Sequence, residues 1–232
     1  MSPDVKTVDA ATSEDATSSL RMILTMGGIG LACAVLIVVT FQATFSRIEN
    51  NKRVALEKAV FEVVPGATEK VAFAVADGKL TPLDPGVDAV EEVYACYDTN
   101  KQFVGVAIEA SGQGFQDVLR LLYGYSPKQQ EIVGFKVLES KETPGLGDKI
   151  DRDPNFKANF DALSVKLAGD GGSLAHPIEL VKSGEKTDDW QVEAITGATI
   201  SSRAVATIVG KSAATSIPLV NNNLSVLEQG SR

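Results

Sequence analysis

The chain has 232 residues, 44% hydrophobic and 22% charged, which is enough apolar material for one ordinary domain and an additional segment. A formal net charge of −8 and a pI near 4.8 argue against a nucleic-acid partner, because phosphate backbones are bound by basic clusters and none stands out here. Two cysteines, Cys33 and Cys96, and a single histidine, His176, supply no spacing for a zinc or iron–sulfur site.

Residues 1–20 are rich in Ser, Thr, Asp and Ala without apolar periodicity and read as a disordered tail. Met22 to Ser46 contains no charged residue, and its centre, Ile29 to Phe41, is strongly apolar, so a transmembrane helix is expected over 21–46. The apolar run is too long for a signal-peptide core and no small-residue cleavage site follows it, which favours a retained anchor over a cleaved leader or a buried soluble helix. Cys33 lies inside this run, so a disulfide with Cys96 is not expected. Arg47, Lys52, Arg53 and Lys58 follow the anchor and only Lys6 and Arg21 precede it; read literally, that asymmetry places the main domain in the cytoplasm. Residues 47–66 carry Ile48, Leu56, Val60 and Val63 among charges and end at Pro65-Gly66, the pattern of an amphipathic stalk helix.

The stretch 67–218 reads as one domain. Short apolar pieces from Val71 to Asp88, broken at Asp77-Gly78, Pro82, Pro85 and Gly86, predict strands and turns. Glu92–Tyr97, Phe103–Glu109, Val118–Tyr123 and Ile132–Leu138 have strand length and turn-forming separators, which predicts an antiparallel meander. Val118–Tyr123 is short enough to be a helical turn capped by Asp117 instead. The loop Glu142-Thr-Pro-Gly-Leu-Gly-Asp-Lys-Ile150 permits close backbone approach at Pro144, Gly145 and Gly147. It reads either as a ligand-facing loop, with Thr143 as a hydrogen-bonding group and Leu146 as an apolar cover, or as a plain connection. Asp153 and Pro154 open a short helix that places Phe156 and Phe160 on one core-facing side. Ile178–Lys182 and Trp190–Ile195 are expected strands, with Trp190 packing and His176 structural or solvated. Residues 219–232 read as a flexible polar tail.

Between the last strand and a helix expected over Ser202–Ser216 lies Glu193-Ala-Ile-Thr-Gly-Ala-Thr-Ile-Ser-Ser202. Gly197 and Ala198 let a bulky group approach the backbone, Thr196, Thr199, Ser201 and Ser202 offer hydroxyls, and the helix N-terminus offers unpaired N–H groups, a combination that suits a phosphate. The alternative is an ordinary turn with Ser202 as N-cap. Val205, Ile208 and Val209 share the face that docks the helix.

Taken together, Glu142-Thr-Pro-Gly-Leu-Gly-Asp-Lys-Ile150 and Thr196-Gly-Ala-Thr199, downstream of one membrane helix, resemble the G subunit of the Rnf electron-transport complex, close kin of the C subunit of the sodium-translocating NADH:quinone reductase. The likeness covers most of the chain after residue 22. It implies an α+β fold in which one N-terminal transmembrane helix precedes a mainly antiparallel-sheet FMN-binding domain with flanking helices. It also implies FMN joined covalently by a phosphoester bond to Thr199, with Thr196, Gly197, Ala198, Ser201 and Ser202 at the attachment turn. Gly145, Leu146 and Gly147 then belong to the wall of the flavin ring, with Leu146 on its face, Thr143 on a polar edge and Glu142 orienting the loop. The chain departs from the family's modification signal at Glu193, where Asp is usual, and at Ala194, where Gly or Ser is common; the carboxylate is kept. The implied partners are the other subunits of the complex and an FMN transferase that draws on FAD. The implied location is the bacterial inner membrane with the domain on the periplasmic or extracytoplasmic side, against the literal charge rule.

The function so implied is one-electron relay within a complex that couples reduced ferredoxin and NAD to sodium or proton movement. No nicotinamide fingerprint and no catalytic cysteine–histidine pair occur in the sequence, so the flavin would carry the chemistry. Two other readings share the same residues: the C subunit of the quinone reductase, against which Asp148-Lys-Ile after Gly-Leu-Gly counts, and a membrane-anchored regulatory or binding module.

Overall fold

The structure, a computed structural model, describes residues 11–76, 78–84, 87, 89 and 91–229, with side chains from residue 19 onward. Expectations for residues 1–10, for Asp77, Pro85, Gly86 and Asp88 in their turns, and for the last three residues lie outside the described set. Two compact units are present, one ending at Lys52 and the other beginning at Arg53. Helix α1 (Ala11–Val63) runs unbroken for 53 residues. It therefore starts ten residues before the expected anchor. Its Ser19–Val63 portion is long and apolar enough to cross a bilayer, with a window of mean hydropathy 2.5 whose side chains are all exposed.

The second unit is built on a seven-stranded antiparallel sheet ordered β2-β1-β3-β4-β5-β6-β7. The strands are β1 (Glu69–Ala76), β2 (Lys79–Pro82), β3 (Glu92–Tyr97), β4 (Phe103–Gln113), β5 (Val118–Ser126), β6 (Glu131–Glu139) and β7 (Leu163–Ser164). The sequence left Val118–Tyr123 between strand and turn. It is strand, paired along its length with β4 on one side and β6 on the other. Both faces are covered, which is why the central strands are almost continuously apolar. On one face Val93, Ala95 and Tyr97, then Val106 and Ile108, then Leu119, Leu121, Tyr123 and Tyr125 enter the main core. On the other, Tyr94, Cys96, Ala107 and Leu122 meet Ala59, Val60, Val63 and Val64 from the end of α1. That second contact depends on glycine: Gly124 and Gly134 face each other across β5 and β6, and a Cβ on them would stand 1.9 and 2.4 Å from the Val63 carbonyl oxygen.

Short helices α2 (Lys149–Arg152) and α3 (Pro154–Ala158) follow β6. Asp153 caps α3 as its sequence suggests, accepting from the Asn155 and Phe156 amides. Phe156 and Phe160 pack with Phe135, the last pair stacked at 4.4 Å between ring centroids. Strands β8 (Glu179–Val181) and β9 (Gln191–Glu193) form a separate parallel pair. The chain then enters α4 (Thr199–Asn222), whose buried face, including Val205, Ile208, Val209 and Ile217, lies on the main core.

Two expectations need correction at the C-terminus. Pro218 does not end α4: it forfeits one i→i−4 bond, yet Ile217, Pro218 and Val220 are buried and the helix continues to Asn222. The described part of the expected flexible tail is structured as α5 (Leu224–Gln229), because Leu227 is fully buried and its carbonyl accepts the Tyr97 hydroxyl at 2.5 Å. The polar look of Asn221-Asn-Asn223 hid this. The Asn221 amide nitrogen instead donates to the Tyr125 hydroxyl at 2.7 Å, and that of Asn223 donates to the Leu219 carbonyl at 2.8 Å.

Candidate functional site

The two motifs that the sequence set 50 residues apart meet at one side chain. Glu142, just past β6 at the start of its loop, is buried, and its carboxylate takes hydrogen bonds from three groups in two other segments. Oε1 accepts the Phe115 amide at 2.8 Å and the Gln116 amide at 3.1 Å, both in the turn between β4 and β5. Oε2 accepts the Ser201 hydroxyl at 2.5 Å, in the first turn of α4. A buried carboxylate is tolerated when its oxygens are satisfied by donors, and here three serve it. Two glycines make the approach possible. A Cβ on Gly114 would lie 2.6 Å from Oε1, and one on Gly147 would lie 2.6 Å from both Oε2 and the Ser201 oxygen. The loop is clipped further by the Gln116 side-chain amide, which donates to the Thr143 hydroxyl at 2.9 Å, and by the Lys141–Asp117 ion pair at 2.5 Å. Within it, the Thr143 carbonyl accepts the Leu146 amide at 3.2 Å, and Gly145 holds φ at +78°, a conformation that favours glycine. Leu146 is left 52% exposed at the tip.

The glycine–threonine turn before α4 differs from its expected form at the start of the helix. α4 begins at Thr199, not Ser202, and its N-cap, Ala198, provides no side-chain acceptor. The helical ladder opens with the Ser202 amide donating to the Ala198 carbonyl at 3.0 Å. The Thr199, Ile200 and Ser201 amides precede that ladder, so they belong to the set of first-turn donors a helix cannot satisfy internally. Thr196, Gly197, Thr199 and Ile200 are exposed. Gly197 has φ +83°, and a Cβ there would meet nothing within 4 Å.

The hydroxyls expected to face a phosphate divide into two sets. Thr196 and Thr199 are open to solvent. Ser201 and Ser202 are corrected: both are buried and directed inward, Ser201 to Glu142, and Ser202 donating to the Ala198 carbonyl at 3.0 Å while accepting the Ile195 amide at 3.1 Å. They brace the turn. The physical reason is the earlier helix start, which rotates both serines onto the core side of the first turn. Glu193, the acidic residue of the signal, is occupied as well: its carboxylate accepts the Gly184 amide, and its backbone is held by the Asn159 side chain.

Sequence reasoning missed three groups. The strand separator expected at Ser111-Gly-Gln-Gly114 is part of β4 except for Gly114, and Phe115 and Gln116, whose amides reach Glu142, carried no expectation; two glycines within three residues, Gly112 and Gly114, signal close backbone approach. Arg203 follows Thr199 by four positions, on the same side of α4, and is exposed. An open groove of 980 Å³ runs from Ile200 past Arg203 and Lys211 and is walled opposite by Glu92, Glu109 and Arg120. His176, beside β8, stacks on Trp190 at 4.0 Å between ring centroids, away from these motifs in the sequence.

A turn with open glycine, exposed threonines and unpaired amides at a 24-residue helix, braced to an apolar-tipped loop, defines the class, a protein that holds a phosphate-bearing planar cofactor. Residues 114–214 match the family described as FMN-binding domain. Among named relatives, the G subunit of the ion-translocating oxidoreductase complex of Methanosarcina acetivorans is 31% identical over 191 residues, covering 82% of this chain and 90% of that one. The corresponding G subunit of Pseudomonas aeruginosa is 31% identical over 207 residues, covering 88% and 90%. This chain belongs to that family, the G subunits of ion-translocating oxidoreductase complexes. Its fold is also that of the C subunit of the Na(+)-translocating NADH-quinone reductase of Parabacteroides distasonis, with a TM-score of 0.57 over 75% of this chain and 96% of that one at 18% identity. At that identity the likeness establishes the fold alone.

Proposed function

We propose that this chain is the electron-relay subunit of a membrane-bound, ion-translocating ferredoxin:NAD oxidoreductase, carrying FMN through a phosphoester bond to Thr199. The observation that carries the reading is the Glu142–Ser201 hydrogen bond of 2.5 Å, which joins the Glu142–Ile150 loop to the helix turn whose Thr199 is exposed. The residues fit the cofactor. The Thr199, Ile200 and Ser201 amides and the positive end of α4 favour a phosphate, and Arg203 adds a cation one turn further along. Open space at Gly197 and Gly145 leaves room for the bulky group. Thr143 and Leu146 supply a polar edge and an apolar face, and Glu142 holds their loop from a buried position. FMN bound there supplies reversible one-electron chemistry. The protein contributes position, exclusion of water and a tether that prevents loss of the cofactor.

An FMN transferase that uses FAD installs the group on the Thr199 hydroxyl, with Glu193 standing where the signal usually has Asp. The anchor lies in the bacterial inner membrane, with the FMN domain on the periplasmic or extracytoplasmic side among the other subunits of the complex. The family relationship supports this reading over the quinone-reductase alternative, since the relatives at 31% identity are named as G subunits of the ion-translocating complex. Intact mass after coexpression with the transferase tests it. An FMN increment that disappears in Thr199→Val is expected, and a wild-type mass equal to the bare polypeptide sinks it. A reporter fused after Arg232 reads the side of the membrane.

A further inference from the structure

Three exposed apolar side chains stand on the three segments that meet at Glu142: Phe115 is 57% exposed, Leu146 52% and Ile200 58%. Each belongs to a segment tied to the Glu142 carboxylate. Phe115 donates its own amide to Oε1, Leu146 sits in the loop that Glu142 opens, and Ile200 precedes Ser201, whose hydroxyl binds Oε2. Leu146 and Ile200 flank the two sequence motifs. Phe115 belongs to neither, and the function as read so far gives it no role.

We propose that Phe115 is a cofactor-contact residue that packs against the isoalloxazine ring, and that Glu142 positions it. The inference rests on the reading of Thr199 as the attachment point. Beside the Thr199 turn lie the groove along α4, a pocket in which Arg203 meets the stacked His176 and Trp190, and a polar pocket lined by Thr196, Asn159, Lys186 and Glu193. The groove along α4 is walled by Arg203, Lys211, Glu92, Glu109 and Arg120, and covering those charges with a flat, largely apolar ring would desolvate them without new partners. Phe115 and Leu146, on the two turns joined through Glu142, present apolar surface that water covers at a cost, and cofactor rings are preferentially held by apolar and aromatic side chains. Phe115 is also rigidly presented. Its amide and the next are both fixed by Glu142, and Gly114 before it donates its amide to the Asp117 carbonyl at 2.9 Å. An aromatic held in a closed turn loses little freedom on meeting the ring.

The test uses the full chain coexpressed with the FMN transferase, comparing wild type, Phe115→Ala, Phe115→Trp and Val226→Trp. Val226 lies in α5, beyond the far end of α4. Intact mass first establishes covalent flavin on each protein. Phe115→Ala is expected to lower the visible circular dichroism of the tethered flavin and raise its quenching by iodide. Phe115→Trp is expected to shorten the flavin excited-state lifetime, because an indole in contact with an excited flavin donates an electron to it, while Val226→Trp leaves the lifetime at the wild-type value. Flavin present by mass with the lifetime unchanged in Phe115→Trp overturns the contact. Wild type lacking covalent flavin overturns the attachment and the contact together, and mass alone distinguishes that outcome. Because Phe115 is exposed, Phe115→Trp folds as wild type and keeps the test decisive should Phe115→Ala melt early.

Discussion

At its N-terminus α4 is uncapped and exposed through Thr199 and Ile200, whereas its C-terminal half and α5 are pinned to the sheet by three buried tyrosines. The Tyr123 hydroxyl meets the Ser212 hydroxyl at 2.9 Å, that of Tyr125 accepts from Asn221 at 2.7 Å, and that of Tyr97 donates to the Leu227 carbonyl at 2.5 Å. The other end is braced by two serines, Ser202 within its own turn and Ser201 to the Glu142 carboxylate, which joins it to another segment. The difference teaches how the fold separates stability from access. Anchoring the helix at Ser212 and Asn221, about 20 and 33 Å from its start at 1.5 Å per residue, leaves the first turn free to keep its amides and its threonine unspent. One charged clamp then sets where that turn stands relative to the Leu146 loop.

The comparison predicts opposite responses at the two ends, and the largest concerns the cofactor. Thr199→Val removes all covalent flavin while shifting stability by less than about 0.5 kcal/mol, the usual range for an exposed position. A thermal melt together with intact mass checks both halves. A variant that loses flavin and also melts far below wild type would mean that the open end bears structural load after all. Next in size is Glu142→Ala, which strips the acceptor from two amides and a hydroxyl and is expected to cost about 3 kcal/mol in chemical denaturation. Glu142→Gln keeps one acceptor oxygen and is expected to cost less. At the anchored end, Tyr97→Phe leaves the buried Leu227 carbonyl without its donor, for a loss of about 2 kcal/mol with flavin content unchanged. Flavin lost in Tyr97→Phe but retained in Glu142→Ala would reverse the assignment of roles.

Much of this was visible in the residues, and the exceptions have identifiable causes. The meander, the capped α3 and the membrane-length apolar run are local signals, written in alternation, turn residues and uninterrupted hydropathy. The two motifs stood out in the sequence because Gly and Thr at fixed spacing suit close approach to a phosphate. What linked them was not legible, because the Glu142–Ser201 contact spans 59 positions and depends on two glycines leaving space rather than on any group they carry. The start of α4 was misplaced by three residues because Ser202 is a good N-cap by type, yet its hydroxyl was already committed to the Ala198 carbonyl and the Ile195 amide. Similarly, α5 looked like tail because its one fully buried anchor, Leu227, meets a tyrosine 130 residues away.

The smallest effect near neutrality is a pH dependence that appears in alkali, and it belongs to β3, whose Tyr97 faces α4 and α5 and whose Cys96 faces the end of α1. Burial, with a smaller contribution from the neighbouring Cys96, pushes the Tyr97 hydroxyl up from 10.0 to about 12. Burial likewise raises the Cys96 thiol from 9.0 to about 12, partly offset by the Ala107 backbone and by Lys70. Both groups are neutral when protonated, so in alkali the unfolded chain releases protons that the folded chain retains. The contribution of these two groups is therefore constant below about pH 9, falls from there as Cys96 and then Tyr97 ionise in the unfolded state, and levels near pH 12, while burial raises Tyr123 and Tyr125 in the same sense. The slope within the window is about 1.4 kcal/mol per pH unit for each group. In the folded chain Tyr97 keeps its proton, and its bond to the Leu227 carbonyl, up to about pH 12. Denaturant melts from about pH 7 to 12 should show the decline, and Tyr97→Phe should flatten its upper part. A Tyr97→Phe curve as steep as wild type between about pH 10 and 12 would place the alkaline weak point elsewhere and remove the tyrosine clasp from the account of how α4 is held.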